Sequence, residues 1–456
     1  MTISRKRRQF FIACIDVILL VVSIYLSLWL RDLQIPSYNR FSWHIPYFLP
    51  IIVAWIVCLY TAGFYSLEIP QTGYRILSYL SIIAVICTLL GFAFFYLNYK
   101  AKSIPKPKTI LVIYGFVNIL LIAFWRWLYS RIALRYIANT NIAIVGINDT
   151  VSELLQNMRK FSYMSYRVMF LYAEKPYHKD DNIPIINDTA LFIDEIKKNK
   201  IQMVVVANKE NLPQSMQNVL FELLRNHVYF IDLPDFYEIF MRRIPLDAVN
   251  ELWFLTNINL RSKKIYHLFK RTVDVVMALI FFVVTLPFWP FIMVLIKIES
   301  PGPAFFKQVR MGYLEEPFTI IKFRTMRVSD NALEPTSYDD SRVTGFGKFL
   351  RRTRIDEIPQ FLNVIKSDMS FVGPRPERPE LTQKLESEVP FYRQRLLVKP
   401  GLSGWDQVSG EYHSPSREDT YKKLQYDLYY IKNMSFFLDV SIFFKTLVTV
   451  IKRRGV

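Results

Sequence analysis

Four long apolar runs fill most of the first 130 residues, at about residues 10–30, 45–67, 76–98 and 109–129. Each run is near the ~20 residues that a helix needs to cross a ~30 Å hydrocarbon layer. The pattern therefore predicts a bundle of four transmembrane helices within residues 1–135. Because an even number of spans returns a chain to its starting side, everything after about residue 135 is expected on the face of the membrane where the N-terminus lies.

Short apolar runs alternate with amphipathic stretches between residues 140 and 250. Strands are predicted at 141–146, 167–172, 203–207 and 227–231, and helices at about 150–161 and 213–225. Such alternation is typical of a parallel-sheet α/β domain. The turn Gly146–Asp149 offers one glycine where a dinucleotide-binding fingerprint needs about three. We therefore predict a Rossmann-like, degenerate nucleotide-fold domain with a structural, regulatory or oligomer-forming role, with nucleotide binding as the alternative.

A fifth apolar run, from Val273 to Ile296, differs from the others because Pro287 and Pro290 interrupt it. Proline inside a helix removes a backbone hydrogen bond and kinks the helix. The run is either a fifth span, which would send residues 297–456 to the opposite face, or a re-entrant helix hairpin within residues 265–297 that breaks at Pro287. Length alone allows both.

The composition argues against a purely soluble protein. The 456 residues are 52% hydrophobic and 16% aromatic, and the mean hydropathy of +0.18 is high for a soluble domain. The three cysteines lie inside apolar stretches without metal-site spacing, which excludes a disulfide framework and a zinc site.

The charge distribution indicates membrane lipid rather than nucleic acid as the partner of the basic surface. The net charge is +18, and residues 1–140 alone carry 14 basic and 3 acidic side chains. This excess lies on the short connections of the apolar part, where anionic headgroups are the nearest partner. No zinc-finger, homeodomain or RNP-type motif is present, so we expect no nucleic acid partner. The basic residues 5–8 predict a cytoplasmic N-terminus.

An acidic pair, Asp356 and Glu357, follows a cluster formed by Arg351, Arg352 and Arg354. Carboxylates beside concentrated positive charge can hold a divalent metal ion and supply a nucleophile. An ionised carboxylate that attacks a diphosphate gains most when Mg²⁺ and guanidinium groups neutralise the leaving oxygens. Taken alone, the pair also fits a surface acidic pair on a helix.

Further motifs occur in a characteristic order after the fifth apolar run. They cover residues 299–308, 321–326, 351–363, 371–377, 399–405 and 427–431. In this order and spacing they resemble the bacterial polyprenyl-phosphate hexose-1-phosphate transferases, the monotopic phosphoglycosyl transferases of the sugar transferase family that begin exopolysaccharide, capsule or O-antigen assembly. The resemblance covers about residues 265–456, and the preceding spans and α/β domain resemble the long form of that family.

The resemblance implies a two-step reaction with Mg²⁺ as cofactor. Asp356 would attack the β-phosphate of a UDP-sugar, expel UMP and carry a covalent sugar-phosphoryl intermediate, which polyprenyl (undecaprenyl) phosphate then attacks. Glu357 would hold the metal with Asp356 or assist deprotonation of the acceptor. The other expected site residues, most of them for substrate phosphate, are Lys322, Arg324, Arg352, Arg354, Arg375 and Asp427. Asp406 and Glu411 stand where the family usually has Ala and Arg, so the sugar stays open.

The implied substrates favour the hairpin over the fifth span. UDP-sugars are cytoplasmic and a polyprenyl tail stays in the membrane, so the acidic pair should lie at the cytoplasmic face of the bacterial inner membrane. The aromatic residues Phe288, Trp289, Phe291, Phe305 and Phe306 would then lie at the membrane boundary or in an ordinary core. Residues 436–451 predict an amphipathic helix that lies on the membrane or faces the core.

The expected architecture is thus a membrane protein of the α plus α/β class. A four-helix transmembrane bundle (1–135) precedes a Rossmann-like parallel-sheet domain (140–250), a re-entrant membrane helix (265–297) and a mainly helical catalytic domain (298–456). A homodimer is expected from the middle domain. One alternative, a membrane-tethered nucleotide-sugar epimerase or dehydratase, needs a glycine fingerprint and a Tyr-x-x-x-Lys pair that residues 141–250 do not contain. The other is a noncatalytic membrane scaffold.

Overall fold

A computed structural model describes residues 2–65, 74–97, 108–136, 140–160, 166–173, 183–209, 212–226, 228–258, 263–327, 340, 342–409 and 416–451. The described chain forms two compact units. One consists mainly of the N-terminal helices, and the other contains most of the sheet and all of the C-terminal part. Among the sequence features discussed above, Glu411 lies outside the described residues.

Four long helices form the N-terminal unit: α1 (Thr2–Asp32), α2 (Tyr38–Thr61), α3 (Tyr74–Leu97) and α4 (Lys108–Tyr136). Each contains a segment long and apolar enough to cross a membrane. The prediction of four N-terminal apolar helices is therefore confirmed. Inside this bundle Arg126 of α4 donates a hydrogen bond to Asp16 of α1, and both side chains are fully buried. Pairing is what makes an ionic group tolerable in such an interior.

The middle of the chain forms a five-stranded sheet. Its strands are β1 (Thr140–Val145), β2 (Tyr166–Tyr172), β3 (Ile185–Ile186), β4 (Met203–Val206) and β5 (Tyr229–Asp232), in the order β3-β2-β1-β4-β5. The pairs β2–β3 and β4–β5 are parallel, with Val204 opposite Phe230. The helices are α5 (Asp149–Lys160), α6 (Thr189–Lys198), α7 (Gln214–Leu223), α8 (Leu233–Met241) and α9 (Glu251–Asn257). The predicted parallel-sheet domain is confirmed, with β3, α6, α8 and α9 in addition to the predicted elements.

The fifth apolar run forms two helices, α10 (Lys264–Thr285) and α11 (Trp289–Glu299). A single 3-10 turn, Leu286–Phe288, separates them and contains Pro287. Pro290 lies in the first turn of α11, where a missing backbone N–H leaves no helical hydrogen bond unmade. The helical ladder is thus interrupted at the proline that the sequence singled out.

The C-terminal part is mainly helical, as predicted, but it also contains two small sheets. A hairpin pairs β6 (Phe305–Met311) with β7 (Pro317–Phe323) in antiparallel register, and β8 (Ser370–Val372) pairs in parallel with β9 (Gly401–Ser403). The helices are α12 (Gly345–Thr353), α13 (Phe361–Lys366), α14 (Pro379–Glu388), α15 (Trp405–Val408), α16 (Arg417–Asn433) and α17 (Phe436–Ile451), with 3-10 turns at Ile355–Gln360 and Tyr392–Leu397.

The core contains some of the aromatic residues singled out in the sequence and one face of the last helix. Trp289 is buried and packs its ring on Phe305 and Phe323, whereas Phe288 and Phe291 are more than 60% exposed. Helix α17 packs against the core through the buried Ile442. One face of α17 is therefore a core face, and the aromatic residues divide between core and surface.

Candidate active site

The acidic pair lies in the 3-10 turn Ile355–Gln360, directly after α12. Arg354 ends α12 with a left-handed backbone (φ +58°), which turns the chain away from the helix axis. Asp356 is thereby carried inward and is only 8% exposed. Its Oδ1 atom is buried and has no hydrogen-bond partner among the described residues. A surface acidic pair on a helix does not fit this environment.

Three basic side chains converge on one oxygen of Glu357. The Oε1 atom lies 3.2 Å from Nζ of Lys322, 3.4 Å from a guanidinium nitrogen of Arg354 and 3.0 Å from one of Arg375. These cations come from β7, from the end of α12 and from the loop after β8, so three separate elements meet here. Because three positive charges face one carboxylate, the cluster keeps a surplus of positive charge that suits a diphosphate.

The two carboxyl groups have opposite electrostatic environments. Burial raises the pKa of Asp356 to about 6, and the neighbouring Glu357 carboxylate adds to the rise. Burial would also raise the pKa of Glu357, but Lys322, Arg375 and Arg354 outweigh it and hold that pKa well below its usual range. Glu357 is therefore ionised at any ordinary pH, whereas Asp356 changes protonation near pH 6. Such a pair is typical of a site with divided acid–base roles.

Asn363 fixes strand β7 against the turn that carries the pair. Its side-chain amide donates to the carbonyl oxygen of Thr319 at 2.7 Å, and its Oδ1 accepts from the backbone N–H of Ile321 at 3.3 Å. The next residue on β7 is Lys322, which contacts Glu357. Asn363 is 1% exposed, so its role is to position the strand.

The loop Pro374–Glu377, which carries Arg375, has a hydrogen-bond donor on each of its four carbonyl oxygens. The donors, in order along the loop, are the backbone N–H of Gly401 (2.9 Å), the side chain of Arg395 (2.9 Å), the side chain of Arg310 (3.2 Å) and the backbone N–H of Met311 (2.8 Å). Gly401 also allows the chains to approach, since a Cβ there would lie 2.1 Å from the backbone nitrogen of Gly373. The loop is thus held from several sides.

Not every predicted site residue meets the acidic pair. Lys322, Arg354 and Arg375 do, but among the described residues no hydrogen bond or ion pair joins Arg324, Arg352 or Asp427 to it.

Each of these three has another environment. Arg324 donates to the backbone carbonyl oxygens of Ser300 and Pro301, the two residues that follow α11 in the sequence. Arg352 is exposed on α12. Asp427 is buried in α16 and pairs with Arg395, a residue that no motif had indicated.

The donor set fits Mg²⁺ only together with substrate oxygens. Within the described ranges no group of three or more His, Cys, Asp or Glu side chains could enclose a metal ion. Protein-bound Mg²⁺ is usually held by one or two carboxylates with phosphate oxygens and water. The Oδ1 of Asp356, which has no hydrogen-bond partner in the described part of the chain, is a carboxylate oxygen of the type that would bind the ion in this way. Asp356 and Glu357 would therefore share the ion with a phosphorylated substrate.

Comparison with known proteins assigns the family. Residues 265–453 match the family described as bacterial sugar transferase, and residues 60–231 match the one described as CoA-binding domain. Over 330 residues the chain is 30% identical to the UDP-glucose:undecaprenyl-phosphate glucose-1-phosphate transferase of Xanthomonas campestris pv. campestris, covering 69% of this chain and 67% of that protein. The chain belongs to the bacterial sugar transferase family. We term residues 265–453 the transferase domain.

Two further relatives match a smaller share of this chain. The chain is 40% identical over 231 residues to the UDP-N-acetylgalactosamine-undecaprenyl-phosphate N-acetylgalactosaminephosphotransferase of Aeromonas hydrophila, covering 50% of this chain and 54% of that protein. The exopolysaccharide production protein PSS of Rhizobium leguminosarum bv. phaseoli is 37% identical over 191 residues, which are 40% of this chain and 96% of that protein. The chain thus spans about half of the Aeromonas relative. The resemblance drawn from the motifs is confirmed.

Proposed function

We propose that the transferase domain moves a sugar-1-phosphate from a UDP-sugar to polyprenyl phosphate and releases UMP. The observation that carries this proposal is the pairing of two carboxyl groups: Asp356 is buried with no partner for its Oδ1 among the residues that the structure describes, and Glu357 contacts three cations. The names of the Xanthomonas and Aeromonas relatives support both substrates. Because those names specify glucose in one case and N-acetylgalactosamine in the other, the sugar is left open.

The proposed reaction has two displacements at one phosphorus atom. An ionised oxygen of Asp356 attacks the β-phosphorus of the UDP-sugar, the bond from that phosphorus to the bridging oxygen breaks, and UMP leaves with the bridging oxygen. The sugar-1-phosphoryl group is then bound to the Asp356 carboxylate. A phosphate oxygen of polyprenyl phosphate attacks the same phosphorus, the bond to Asp356 breaks, and the carboxylate is restored.

The surrounding residues favour the first displacement electrostatically. Lys322, Arg354 and Arg375 form the positive surface on which the diphosphate would lie, and Glu357 keeps them together. Bound Mg²⁺ would neutralise charge on the diphosphate and on the departing UMP. Burial, which raises the pKa of Asp356, also leaves its ionised oxygen poorly solvated and therefore more nucleophilic.

We further propose that α10 and α11 form a re-entrant hairpin, so that the site lies at the cytoplasmic face of the inner membrane. Near the start of α10, Arg271 donates to the carbonyl oxygens of Val364 (2.6 Å) and Ile365 (2.9 Å). At the end of α11, Glu299 accepts from the backbone N–H of Phe346 at 2.9 Å. A straight helix would separate Arg271 from Glu299 by about 42 Å. In the structure, α10 before the Pro287 turn and α11 after it are both attached to residues 346–365. This attachment supports the hairpin.

The reaction is tested by UMP release. Purified full-length protein is incubated with UDP-glucose or UDP-N-acetylgalactosamine, Mg²⁺ and, in a second series, polyprenyl phosphate. With one of these donors we expect about one UMP per active site without acceptor and continuous release with it, as a covalent intermediate requires. Asp356→Asn should release none, whereas Asp194→Asn, an exposed change on α6, should behave as wild type. Equal release by wild type and Asp356→Asn would refute the mechanism.

The hairpin is tested by thiol labelling from outside the cell. Cysteines replace Lys384 on α14 and Glu222 on α7, both exposed. A membrane-impermeant reagent should reach neither in intact spheroplasts and both after permeabilisation. Labelling of Lys384→Cys alone from outside would mean that residues 264–299 cross the membrane.

A further inference from the structure

A buried ion pair behind the active site has no role in the reaction just described. Asp427 on α16 and Arg395 in the turn Tyr392–Leu397 are 1% and 3% exposed. The Oδ2 atom of Asp427 accepts from Nε of Arg395 at 3.0 Å and lies 2.8 Å from its second terminal nitrogen. Two contacts to one oxygen fix the plane of the guanidinium group.

We propose that Arg395, oriented by Asp427, is a positioning residue that holds Arg375 in place for the transfer reaction. One terminal nitrogen of Arg395 donates to the backbone carbonyl oxygen of Arg375 at 2.9 Å. The side chain of Arg375 in turn donates to Oε1 of Glu357 at 3.0 Å. The pair thus acts on the site through the backbone of the loop Pro374–Glu377. This inference rests on the proposed function.

The geometry favours positioning over substrate binding for both residues. All three nitrogens of the Arg395 guanidinium are engaged, since the remaining one donates to the Tyr392 hydroxyl at 2.7 Å. A substrate phosphate could reach this group only by displacing Asp427, Tyr392 or the loop carbonyl. Asp427, which its motif position suggested for the active site, therefore contributes from behind the loop.

Arg395 is the loop anchor whose loss would matter most for Arg375, because within the described part of the chain it is the donor to the carbonyl oxygen of that residue. The neighbouring anchors bind the carbonyl oxygens of Pro374, Pro376 and Glu377. Reacting groups must be held within about 0.5 Å, and a displacement of about 1 Å can cost roughly 100-fold in rate. We therefore expect loss of the pair to lower kcat by about 10- to 100-fold and to change KM for the UDP-sugar by less than about threefold.

The split between kcat and KM provides a readout that general loosening of the fold would not give. If only Arg375 is displaced, the remaining contacts still bind the UDP-sugar, so kcat should fall in Arg395→Lys and Asp427→Asn while KM stays nearly unchanged. Arg393→Lys is the matched control, because Arg393 lies in the same turn but is 58% exposed and pairs with Glu386 and Glu315.

The experiment measures kcat and KM of UMP release, together with amide hydrogen exchange at Met311 and Gly401, whose N–H groups donate to the loop. We expect lower kcat, nearly unchanged KM and faster exchange for Arg395→Lys and Asp427→Asn, with Arg393→Lys unchanged in all three. Wild-type kcat in both variants would overturn the proposal, as would unchanged exchange at the two amides. If wild type itself released no UMP, the proposed function would fail, and the exchange rates would still decide whether the pair holds the loop.

Discussion

Asp356→Asn should make the protein more stable at alkaline pH while it abolishes the reaction. The substitution keeps the shape of the side chain but removes a buried charge whose Oδ1 atom has no partner among the described residues. Burial, with Glu357, raises the pKa of Asp356 from 3.8 to about 6, a rise of roughly two units. At 1.36 kcal/mol per unit, ionisation of Asp356 in the folded protein costs about 3 kcal/mol.

The sign of the effect follows from the direction of the pKa shift. Because the pKa is higher in the folded than in the unfolded protein, the protonated carboxyl stabilises the fold at low pH, and that stability is lost as the pH rises through about 6. Asparagine carries no charge at any pH. Asp356→Asn should therefore be more stable than wild type by up to about 3 kcal/mol at pH 8, and by little at pH 4.

The assay is thermal unfolding of the full-length protein in detergent at pH 4, 6 and 8. For a domain of this size about 3 kcal/mol corresponds to a rise in Tm of roughly 6–12 °C at pH 8. Asp194→Asn on the surface of α6 is the control and should leave Tm unchanged at every pH. A lower Tm for Asp356→Asn at pH 8, or a rise that does not depend on pH, would show that ionisation of Asp356 does not destabilise the folded protein.

Three other outcomes are expected. UMP release by wild type should fall about tenfold between pH 7 and pH 5, because a carboxyl group with a pKa of about 6 goes from about nine-tenths to one-tenth ionised; a flat profile in steady-state assays would contradict this. Trp289→Ala should lower the free energy of unfolding by about 3–5 kcal/mol, because Trp289 is a buried core residue. Phe288→Ala, at the preceding exposed position, should change it by less than about 0.5 kcal/mol. Equal losses in thermal unfolding would mean that Trp289 is not a core residue. Asn363→Ala should cost at least about 2 kcal/mol by the same measurement and should reduce UMP release, since it removes the side-chain hydrogen bonds to the backbone of Thr319 and Ile321 and leaves a cavity at a buried position; an unchanged Tm would contradict the role of Asn363 in holding β7.

The fold was predictable from sequence where the signal is local. The long apolar runs and the alternation of strands and helices depend only on neighbouring residues, and both predictions are confirmed. Strand β3 has only two residues, Ile185 and Ile186, which is too short for a periodic signal. The hairpin β6–β7 was missed because charged and polar residues such as Lys307 and Gln308 interrupt its apolar positions.

The site was predictable to the extent that its members belong to recognisable motifs. Lys322, Arg354 and Arg375 meet Glu357 from three motifs, although the spacing did not show that all three reach one oxygen. No sequence pattern indicated Arg395. Its contact with Asp427 joins residues 32 positions apart, and only the tertiary packing brings them together. The metal ion, the re-entrant hairpin and the homodimer stay predictions.

Helices α15 and α16 of the transferase domain contact residues 238–244, which lie between the two stretches that match known families. The backbone N–H of Ile244, just after α8, donates to the carbonyl oxygen of Gln425, two residues before Asp427. Further along, Lys432 and Asn433 bind Glu238 of α8, and Trp405 donates to the carbonyl oxygen of Arg242. A chain cut between residues 258 and 263 would expose Trp405 and leave Lys432 and Asn433 without Glu238. Residues that precede the transferase domain therefore cover part of its buried surface. Replacing this domain by a shorter relative would remove those contacts, so the two are not freely interchangeable.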